Sequence, residues 1–412
     1  MPLGIYISVP FCRSKCTYCN FASGVFSAAQ MGRYVDRLIA DMSGMKAVAA
    51  GHGADMPLPL DTIYLGGGTP SLLPAEELKR LLFHLRQEFT TVPRAEITVE
   101  CAPGTLTDPI IQALVTRGVN RISLGVQSFM DKEAASVARL HTREKTLSDI
   151  ERLRKAGISN INVDMIAGLP HQTRESWSYS LDEAIATGVP HVSVYMLEVD
   201  EDSRLGRELI AGGTRYHAHD VPNEDLTAEF YEMACERLNA AGVRQYEISN
   251  FAREGFESRH NLKYWTRQPY LGFGVDAHSM LPASEALLAR GITGLRFATT
   301  DDYDQFLAAP GVQASHVTQG QAVEESFFLG LRLNRGISLS DVRARFGPPH
   351  IDACMPVIDE LVASGLLQRG GDNLQLTQRG RLLSNEVFAA FIADQKSQNP
   401  PDRTEDGIQA RP

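Results

Sequence analysis

The sequence predicts an α/β fold, in which an incomplete (β/α)6 barrel is followed by a small winged-helix-like C-terminal domain. The main observation is a repeated unit: a segment with helical periodicity ends at a glycine, and a β-rich run follows at once. Its clearest copies are RGVNRISLGV, AGISNINVDM, TGVPHVSVYM and AGVRQYEISN. Six such units in series predict a parallel sheet. Because the units are similar and no dinucleotide fingerprint appears, we favour a barrel over an open doubly wound sheet.

Six strands are predicted from short β-rich runs, and helices fill the intervals between them. The strands fall near Ile5–Val9, Thr62–Leu65, Ile97–Glu100, Ile122–Gly125, Ile161–Met165 and Val192–Met196. Thr107 and Thr142 are expected to cap helices, and Pro74 is expected at a first helical position. The glycines that end helices are Gly118, Gly157, Gly188 and Gly242. Each of them is expected in the left-handed conformation.

The chain divides into four expected regions. Residues 1–245 form the barrel core, and residues 246–320 form an irregular connecting segment rich in glycine and aromatic residues. Residues 321–395 predict a helix followed by a hairpin, which is a winged-helix-like outline. Nine acidic residues against seven Arg or Lys between residues 324 and 394 favour packing or docking over DNA binding. Residues 396–412 are expected to be a disordered tail.

The overall composition is that of a folded cytoplasmic protein. The chain has 412 residues, of which 43% are hydrophobic and 22% charged, with a net charge of -10. This charge argues against nucleic-acid binding, which requires a basic face. We expect neither a transmembrane helix nor a signal peptide from the apolar runs and the N-terminal residues. The six cysteines include three in one short stretch, and the scattered others suggest a reducing compartment without a disulfide framework.

The stretch FCRSKCTYCN places Cys12, Cys16 and Cys19 in a C-x3-C-x2-C pattern. Structural zinc needs four N or S ligands, commonly in two pairs, and a second cysteine pair is missing. A [4Fe–4S] cluster fits best, because thiolates from one short loop can bind three irons and leave the fourth open for a small molecule. Zinc and unreactive buried cysteines remain as alternatives.

Polar residues recur where the predicted strands end. In a barrel and in an open parallel sheet alike, active-site and ligand-binding residues lie at the C-terminal ends of the strands. The residues expected there are the cysteine loop, the GGGTP stretch at Gly66–Pro70, Glu100, Gln127, Asp164 and Glu198. Six separate strands would thus direct polar groups toward one mouth.

The cysteine motif, with Tyr18 before its last cysteine, resembles the radical S-adenosylmethionine (SAM) superfamily. GGGTP resembles the glycine-rich loop with which that family binds the aminoacyl group of SAM. More widely, YISVPFCRSKCTYC, YLGGGTPSLL, ITVECAPGTL, RISLGVQSF, INVDMIAGLPHQT, YEISNFA and HNLKYW resemble oxygen-independent coproporphyrinogen III oxidases and their haem-chaperone relatives. This resemblance covers roughly residues 4 to 390.

The resemblance implies specific ligands. Cys12, Cys16 and Cys19 would hold a [4Fe–4S] cluster whose open iron is chelated by SAM. The residues that would bind SAM are Tyr6, Tyr18, Gly67, Gly68, Thr69, Glu100, Gln127, Arg139 and Asp164. Carboxylates suit ribose hydroxyls or an ammonium group, and a guanidinium suits a carboxylate. Cys101 stands where the family usually has asparagine, which puts the shape of the SAM pocket in question.

Two functions compete under this resemblance. One is radical decarboxylation of the propionates of coproporphyrinogen III, and the other is a haem chaperone of the HemW type that delivers haem to acceptor proteins, with membrane-bound respiratory proteins as candidates. The oxidases carry a fourth cysteine where this chain has Asn20 and Phe21. They also carry a long N-terminal arm, for which Cys12 leaves no room. We therefore favour the chaperone and assign no catalytic residue.

HNLKYW, residues 260–265, matches the HNxxYW motif of the chaperone branch and argues against a third reading, a radical SAM enzyme on another substrate, such as a methyltransferase. His260 is expected in a loop as a haem ligand, with Tyr264 and Trp265 stacked on the porphyrin. The alternative is a hydrogen-bonded histidine of the core. His278 is a second haem candidate.

Overall fold

The structure is a computed structural model that describes residues 1–309 and 311–392, so the tail expected at 396–412 lies outside the described residues. The chain forms two compact units, residues 1–319 and residues 320–412. The strands are β1 (Leu3–Val9), β2 (Leu60–Gly67), β3 (Thr91–Cys101), β4 (Arg121–Gln127), β5 (Asn160–Ala167), β6 (His191–Met196), β7 (Arg244–Gln245), β8 (Asn250–Ala252), β9 (Tyr270–Phe273), β10 (His278–Pro282), β11 (Ile292–Ala298), β12 (Gln313–Thr318), β13 (Ile337–Ser338), β14 (Leu367–Gly370) and β15 (Asn373–Leu376).

Helices alternate with the strands through most of the chain. They are α1 (Ala28–Gly51), α2 (Ala75–Glu88), α3 (Asp108–Thr116), α4 (Asp131–Ser136), α5 (Arg143–Lys155), α6 (Arg174–Ala186), α7 (Arg204–Ala211), α8 (Glu224–Ala240), α9 (Arg259–Trp265), α10 (Glu285–Leu288), α11 (Tyr303–Ala308), α12 (Gln319–Gly330), α13 (Leu339–Phe346), α14 (Pro348–Ala363), α15 (Gln378–Leu382) and α16 (Ser384–Ile392). Short 3-10 turns lie at Pro70–Leu72 and Ala218–Asp220.

The six predicted strands are confirmed as β1 to β6, which pair in parallel and in chain order. The glycines that end the preceding helices, at positions 118, 157, 188 and 242, all have a positive φ. A β-carbon disfavours this conformation, so glycine at these positions turns each helix directly into the next strand. Within the described residues the sheet does not close on itself, so the barrel is incomplete, as predicted.

The segment 246–320 differs from the irregular structure that its composition predicts. Its strands extend both edges of the sheet: β9 pairs in parallel with β1 and continues into antiparallel β10, β11 and β12, while β8 pairs with β6. The glycines responsible for the prediction serve close packing instead. A β-carbon on Gly274 would lie 2.5 Å from the carbonyl oxygen of Ser8, and one on Gly272 would collide with the backbone of His278.

Apolar helix faces cover the sheet. Leu78, Leu81, Leu82 and Leu85 of α2 are buried, as their spacing predicts. Thr142 caps α5 by accepting a hydrogen bond from the Lys145 N–H, whereas Pro74 lies one residue before α2 and so is its cap. Among the described residues, no helix is both long and apolar enough to cross a membrane.

The second unit contains the expected helix and hairpin. Helix α14 precedes β14 and β15, which pair around a turn at Gly371 and Asp372, and β13 adds a third strand. Asp372 accepts hydrogen bonds from the hydroxyls of Ser338 and Ser340, which ties the turn to the start of α13. This is a winged-helix-like arrangement.

Trp177 of α6 is fully buried, and its Nε1–H donates to the Phe230 carbonyl of α8 at 2.7 Å. We expect Trp177→Ala to lower the free energy of unfolding by about 3 to 5 kcal/mol, because it opens a large cavity in the core and removes this hydrogen bond. Tyr179→Ala on the exposed side of the same helix should change it by less than about 0.5 kcal/mol. Urea titrations followed by circular dichroism compare the two; equal losses would contradict this assignment.

Candidate cofactor site

The cysteine loop begins where β1 ends. The Cys12 N–H donates to Gly24 and the Gly24 N–H donates to Pro10, each at 2.8 Å, so the loop is closed by backbone hydrogen bonds. Cys12, Cys16 and Cys19 are half-buried with free thiols. Burial raises the pKa of the Cys12 thiol, although hydrogen bonds with Ser23 and Thr69 act in the opposite direction. Three thiols of one short loop are therefore gathered at the C-terminal edge of the sheet.

The glycine-rich loop at the end of β2, Gly66–Pro70, is called the glycine loop below. It lies directly against the cysteine loop. The Gly68 N–H donates to Val9 at 2.9 Å, and the Thr69 N–H donates to Phe11 at 2.7 Å. A β-carbon on Gly68 would lie 2.8 Å from the Phe11 carbonyl oxygen and 2.9 Å from that of Val9. Such contacts are too short for any side chain, so only glycine allows the two loops to approach this closely.

The parallel register places Tyr6, Glu100 and Asp164 on one face of the sheet. Tyr6 lies opposite Tyr64, which lies opposite Thr98, two residues before Glu100. Glu100 in turn lies opposite Ser123, two residues before Gly125, and Gly125 lies opposite Asp164. Side chains two residues apart on a strand share a face, so all three point to the same side. The face is therefore both aromatic and acidic.

Glu100 is held by Tyr64 and the glycine loop. The Tyr64 hydroxyl donates to its Oε1 at 2.8 Å, and the Gly67 N–H donates to its Oε2 at 3.1 Å. Burial, and then the charge of Asp164, raise the pKa of Glu100 to about 7. A β-carbon on Gly66 would lie 2.8 Å from the same carboxylate, so the glycine loop shapes this site as well.

Asp164 accepts hydrogen bonds from Ser123 at 2.9 Å and from Asn162 at 2.7 Å. Burial raises its pKa, and these hydrogen bonds lower it in part. Asn162 continues into a buried polar network with Ser193 and Asn250. The sequence interpretation missed these three residues, although their alternation with apolar residues on β5, β6 and β8 is a visible signal.

Arg139 and Tyr18 lie beside the cysteine loop. A β-carbon on Gly125 would lie 2.5 Å from the Arg139 guanidinium and 3.1 Å from the Gln127 amide, so glycine at 125 makes room for both. Burial opposes the charge of Arg139, yet the acidic groups around it, Tyr18 first, raise its pKa. Its Nε and the Thr17 hydroxyl oxygen are buried without hydrogen-bond partners among the described residues. Both atoms can therefore form a hydrogen bond with a bound ligand or with an ordered water.

The HNLKYW motif forms most of α9 and is not a loop. The Glu96 carboxylate accepts the N–H groups of Arg259 and His260 at 3.0 Å each and so caps the helix. The Lys263 ammonium is buried and lies 2.6 Å from Asp61. Part of the motif therefore anchors α9 to the sheet.

His260 is buried and uses both ring nitrogens. Its Nδ1 is 2.9 Å from the Thr62 hydroxyl, and its Nε2 is 2.9 Å from the Tyr264 hydroxyl. Burial and the charge of Lys263 lower its pKa to about 3, so the ring is neutral. It stacks on Tyr64 at 5.3 Å and on Tyr6 at 6.5 Å. The histidine thus packs against Tyr6 and Tyr64, which lie on the same face of the sheet as Glu100.

Three other residues named from the sequence lie outside this cluster. Cys101 is buried on the opposite face of β3 from Glu100, where burial raises its pKa to about 12. Glu198 is exposed. His278 is exposed at the start of β10, 3.7 Å from Asp276.

The raised pKa of the half-buried Glu100 carboxylate predicts a pH-dependent stability. Because its folded pKa of about 7 lies above its ordinary value of 4.5, the folded state binds more protons between these values and loses stability as pH rises. Glu100→Gln, neutral throughout, should remove this loss of up to about 1.4 kcal/mol per pH unit. Urea titrations of the cluster-free chain from about pH 4.5 to 8 test this; parallel curves for the two proteins would contradict it.

Parts of the chain match two known domain families, and nearly the whole chain is similar to curated proteins. Residues 6–184 match the radical SAM superfamily and residues 317–383 match the HemN C-terminal domain. The chain is 34% identical to the heme chaperone HemW of Bacillus subtilis, over 94% of this chain and 99% of that protein. It is 30% identical to that of Escherichia coli, over 95% and 99%.

Among solved structures, the coproporphyrinogen III oxidase of Escherichia coli, described as a radical SAM enzyme, superimposes with a TM-score of 0.79. It covers 95% of this chain and 90% of its own at 22% identity, which shows a shared fold. The near full-length identity to the curated relatives goes further. The chain belongs to the heme chaperone HemW family within the radical SAM superfamily.

Proposed function

We propose that this protein binds haem, carries a [4Fe–4S] cluster with SAM, and delivers the haem to acceptor proteins. The observation that carries the proposal is the 34% identity over nearly the whole chain to a curated heme chaperone HemW. Asn20 and Phe21, which follow Cys19 in place of the oxidases' fourth cysteine, also support it. The oxidase reading is less supported, since the likeness to that enzyme at 22% identity extends to the fold alone.

The superfamily implies a [4Fe–4S] cluster and SAM, and the residues at this site fit both. Cys12, Cys16 and Cys19 would hold the cluster, because they are three free thiols in one closed loop. When bound, the cluster supplies an electron and an open iron position for SAM. The unpaired Thr17 hydroxyl and Arg139 Nε are available to polar groups of these ligands.

The face of the sheet that carries Tyr6, Glu100 and Asp164 would orient SAM. The glycine loop at Gly67, Gly68 and Thr69 would receive the aminoacyl group, since it lies between the cysteine loop and Glu100. Glu100 and Asp164 would accept hydrogen bonds from ammonium or hydroxyl groups, and Arg139 would pair with the carboxylate. The remaining contacts would come from Tyr6, Tyr18 and Gln127.

His260 would hold the haem iron beside this face. The neutral imidazole has the protonation state that iron requires. Its Nε2 is shared with the Tyr264 hydroxyl, so ligation through this nitrogen would replace that hydrogen bond. The acceptor would then take the haem from α9, and membrane-bound respiratory proteins are the acceptors that we propose.

The cluster assignment predicts the effect of single cysteine changes. Cys12→Ser, Cys16→Ser or Cys19→Ser should abolish the [4Fe–4S] absorption after anaerobic reconstitution, because each thiolate binds a different iron. Cys235→Ser and Cys354→Ser serve as controls and should keep the parent's iron and sulfide content. A cluster-loop variant that retains about four irons per chain would refute the assignment.

The chaperone function predicts haem transfer without oxidase activity. The reconstituted protein should bind haem in an absorption titration and pass it to a haem-free respiratory cytochrome. With SAM, a reductant and coproporphyrinogen III under anaerobic conditions, it should form no protoporphyrinogen. Measurable protoporphyrinogen would instead support the oxidase, and failure to bind haem would exclude the chaperone.

The role of His260 is tested by a pair of variants. His260→Ala should weaken haem binding about tenfold or more, because it removes the ligand. Tyr264→Phe removes only the hydrogen bond to Nε2, so haem binding should be kept or strengthened. Both variants should retain iron and sulfide, and circular dichroism should confirm their fold. Unchanged haem binding by folded His260→Ala protein would show that the histidine is structural.

A further inference from the structure

We infer that His171, His217 and Asp220 form a binding site for a divalent transition-metal ion, Zn²⁺, separate from the cluster and the haem. His171 follows β5, in the GLPHQT stretch, whereas the other two residues lie in the loop after α7. All three are half-buried, and their ligand atoms lie within 4.8 Å of one another. None of them has a role in the function proposed above.

The distances from Asp220 to the two histidines are those of neighbouring ligands in a tetrahedral site, and all three ligand atoms lie within 4.8 Å of one another. Zinc–nitrogen and zinc–oxygen bonds of about 2.0 to 2.1 Å place neighbouring ligand atoms roughly 3.3 Å apart. The Asp220 Oδ2 lies 3.2 Å from Nδ1 of His171 and 3.6 Å from Nδ1 of His217. It also lies 3.3 Å from Nε2 of the exposed His219. Imidazole nitrogens with one carboxylate are ligands that zinc prefers.

The backbone holds the ligands in place without a metal. The His171 N–H donates to Asp220 and the Asp220 N–H donates to His217, each at 2.9 Å, so the two loops are joined. His171 and His217 both have left-handed backbones, with φ of 67° and 60°. Non-glycine residues hold this conformation at a cost, and they do so most often at functional sites.

A second carboxylate supports the loop that carries His217. Glu208 of α7 accepts the N–H of Tyr216 at 2.8 Å and that of Ala218 at 3.2 Å. These residues flank His217 on both sides, so the buried carboxylate fixes the backbone at the ligand. Supporting interactions of this kind orient the ligands in metal sites generally.

The competing explanation is an ion pair between a protonated histidine and Asp220. The Asp220 Oδ2 lies within 3.6 Å of a ring nitrogen of His171, of His217 and of His219. A single ion pair needs only one histidine, whereas three histidines lie around this carboxylate.

The position of the site indicates what the metal would do. The Leu205 N–H at the start of α7 donates to Thr17 of the cysteine loop at 2.9 Å. A metal joining His171 to the 217–220 loop would tie the end of β5 to the element that supports the cysteine loop. The site would thus be structural, and it would stiffen the surroundings of the cluster.

The test uses the full chain with its cluster reconstituted, freed of loosely bound metal on a chelating resin, and titrated with Zn²⁺ by calorimetry. We expect about one Zn²⁺ per chain, with the affinity reduced at least about tenfold in His171→Ala and Asp220→Asn. His316→Ala, at an exposed histidine of β12, is the matched control and should bind like the parent.

Cobalt substitution separates this site from the cysteines. Co²⁺ bound by nitrogen and oxygen gives weak visible bands, whereas thiolate ligation adds intense charge-transfer absorption in the near ultraviolet. In difference spectra recorded against the same protein before Co²⁺ is added, which subtract the absorption of the cluster, we expect visible bands without new thiolate charge-transfer absorption, and these bands should be lost in Asp220→Asn. Absence of Zn²⁺ binding by the parent, or equal binding by Asp220→Asn protein, would overturn the inference, and the parent titration does not depend on the folding of any variant.

Discussion

The contact between the cysteine loop and the glycine loop is the constraint on which the rest of the site depends. Two backbone hydrogen bonds, from Gly68 to Val9 and from Thr69 to Phe11, hold the end of β2 against the end of β1. No side chain fits at position 68. Through Gly67 the same loop reaches Glu100, and through Glu100 it reaches Tyr64. The thiols and the Glu100 carboxylate are therefore positioned by a single close approach of two backbones.

The face of the sheet that carries Glu100 and Asp164 holds several ionisable groups in surroundings that disfavour charge. Glu100 and Asp164 both have raised pKa values, chiefly because they are buried. Arg121, at the start of β4, is almost fully buried, and its Nε is unpaired among the described residues. Such an arrangement costs folding free energy and is typical of functional sites, where polar groups are prepared for a ligand rather than for each other.

Helix α9 connects this face to the motif of the chaperone branch. His260 touches Tyr64 and Tyr6 through ring stacking, while the buried pair of Lys263 and Asp61 holds the helix on the sheet. Removing one member of a buried pair leaves an uncompensated charge, so the lysine of the motif is needed for the position of the histidine. His260 therefore contacts the face of the sheet that is proposed to bind SAM, and the proposed SAM and haem sites would be adjacent.

The sequence by itself determined the repeated strand–helix unit, the six parallel strands, the glycine turns and the cysteine motif. These features are local: a helix-ending glycine and a β-rich run act within a few residues. The strands of residues 246–320 could not be predicted, because Gly272 and Gly274 have the composition of a loop and are needed only where other backbones approach them. The same holds for His260, whose burial in α9 depends on Thr62, Tyr64 and Glu96, far away in sequence. Only the tertiary structure joined His171 to His217 and Asp220, since metal ligands from separate loops leave no periodic pattern along a chain.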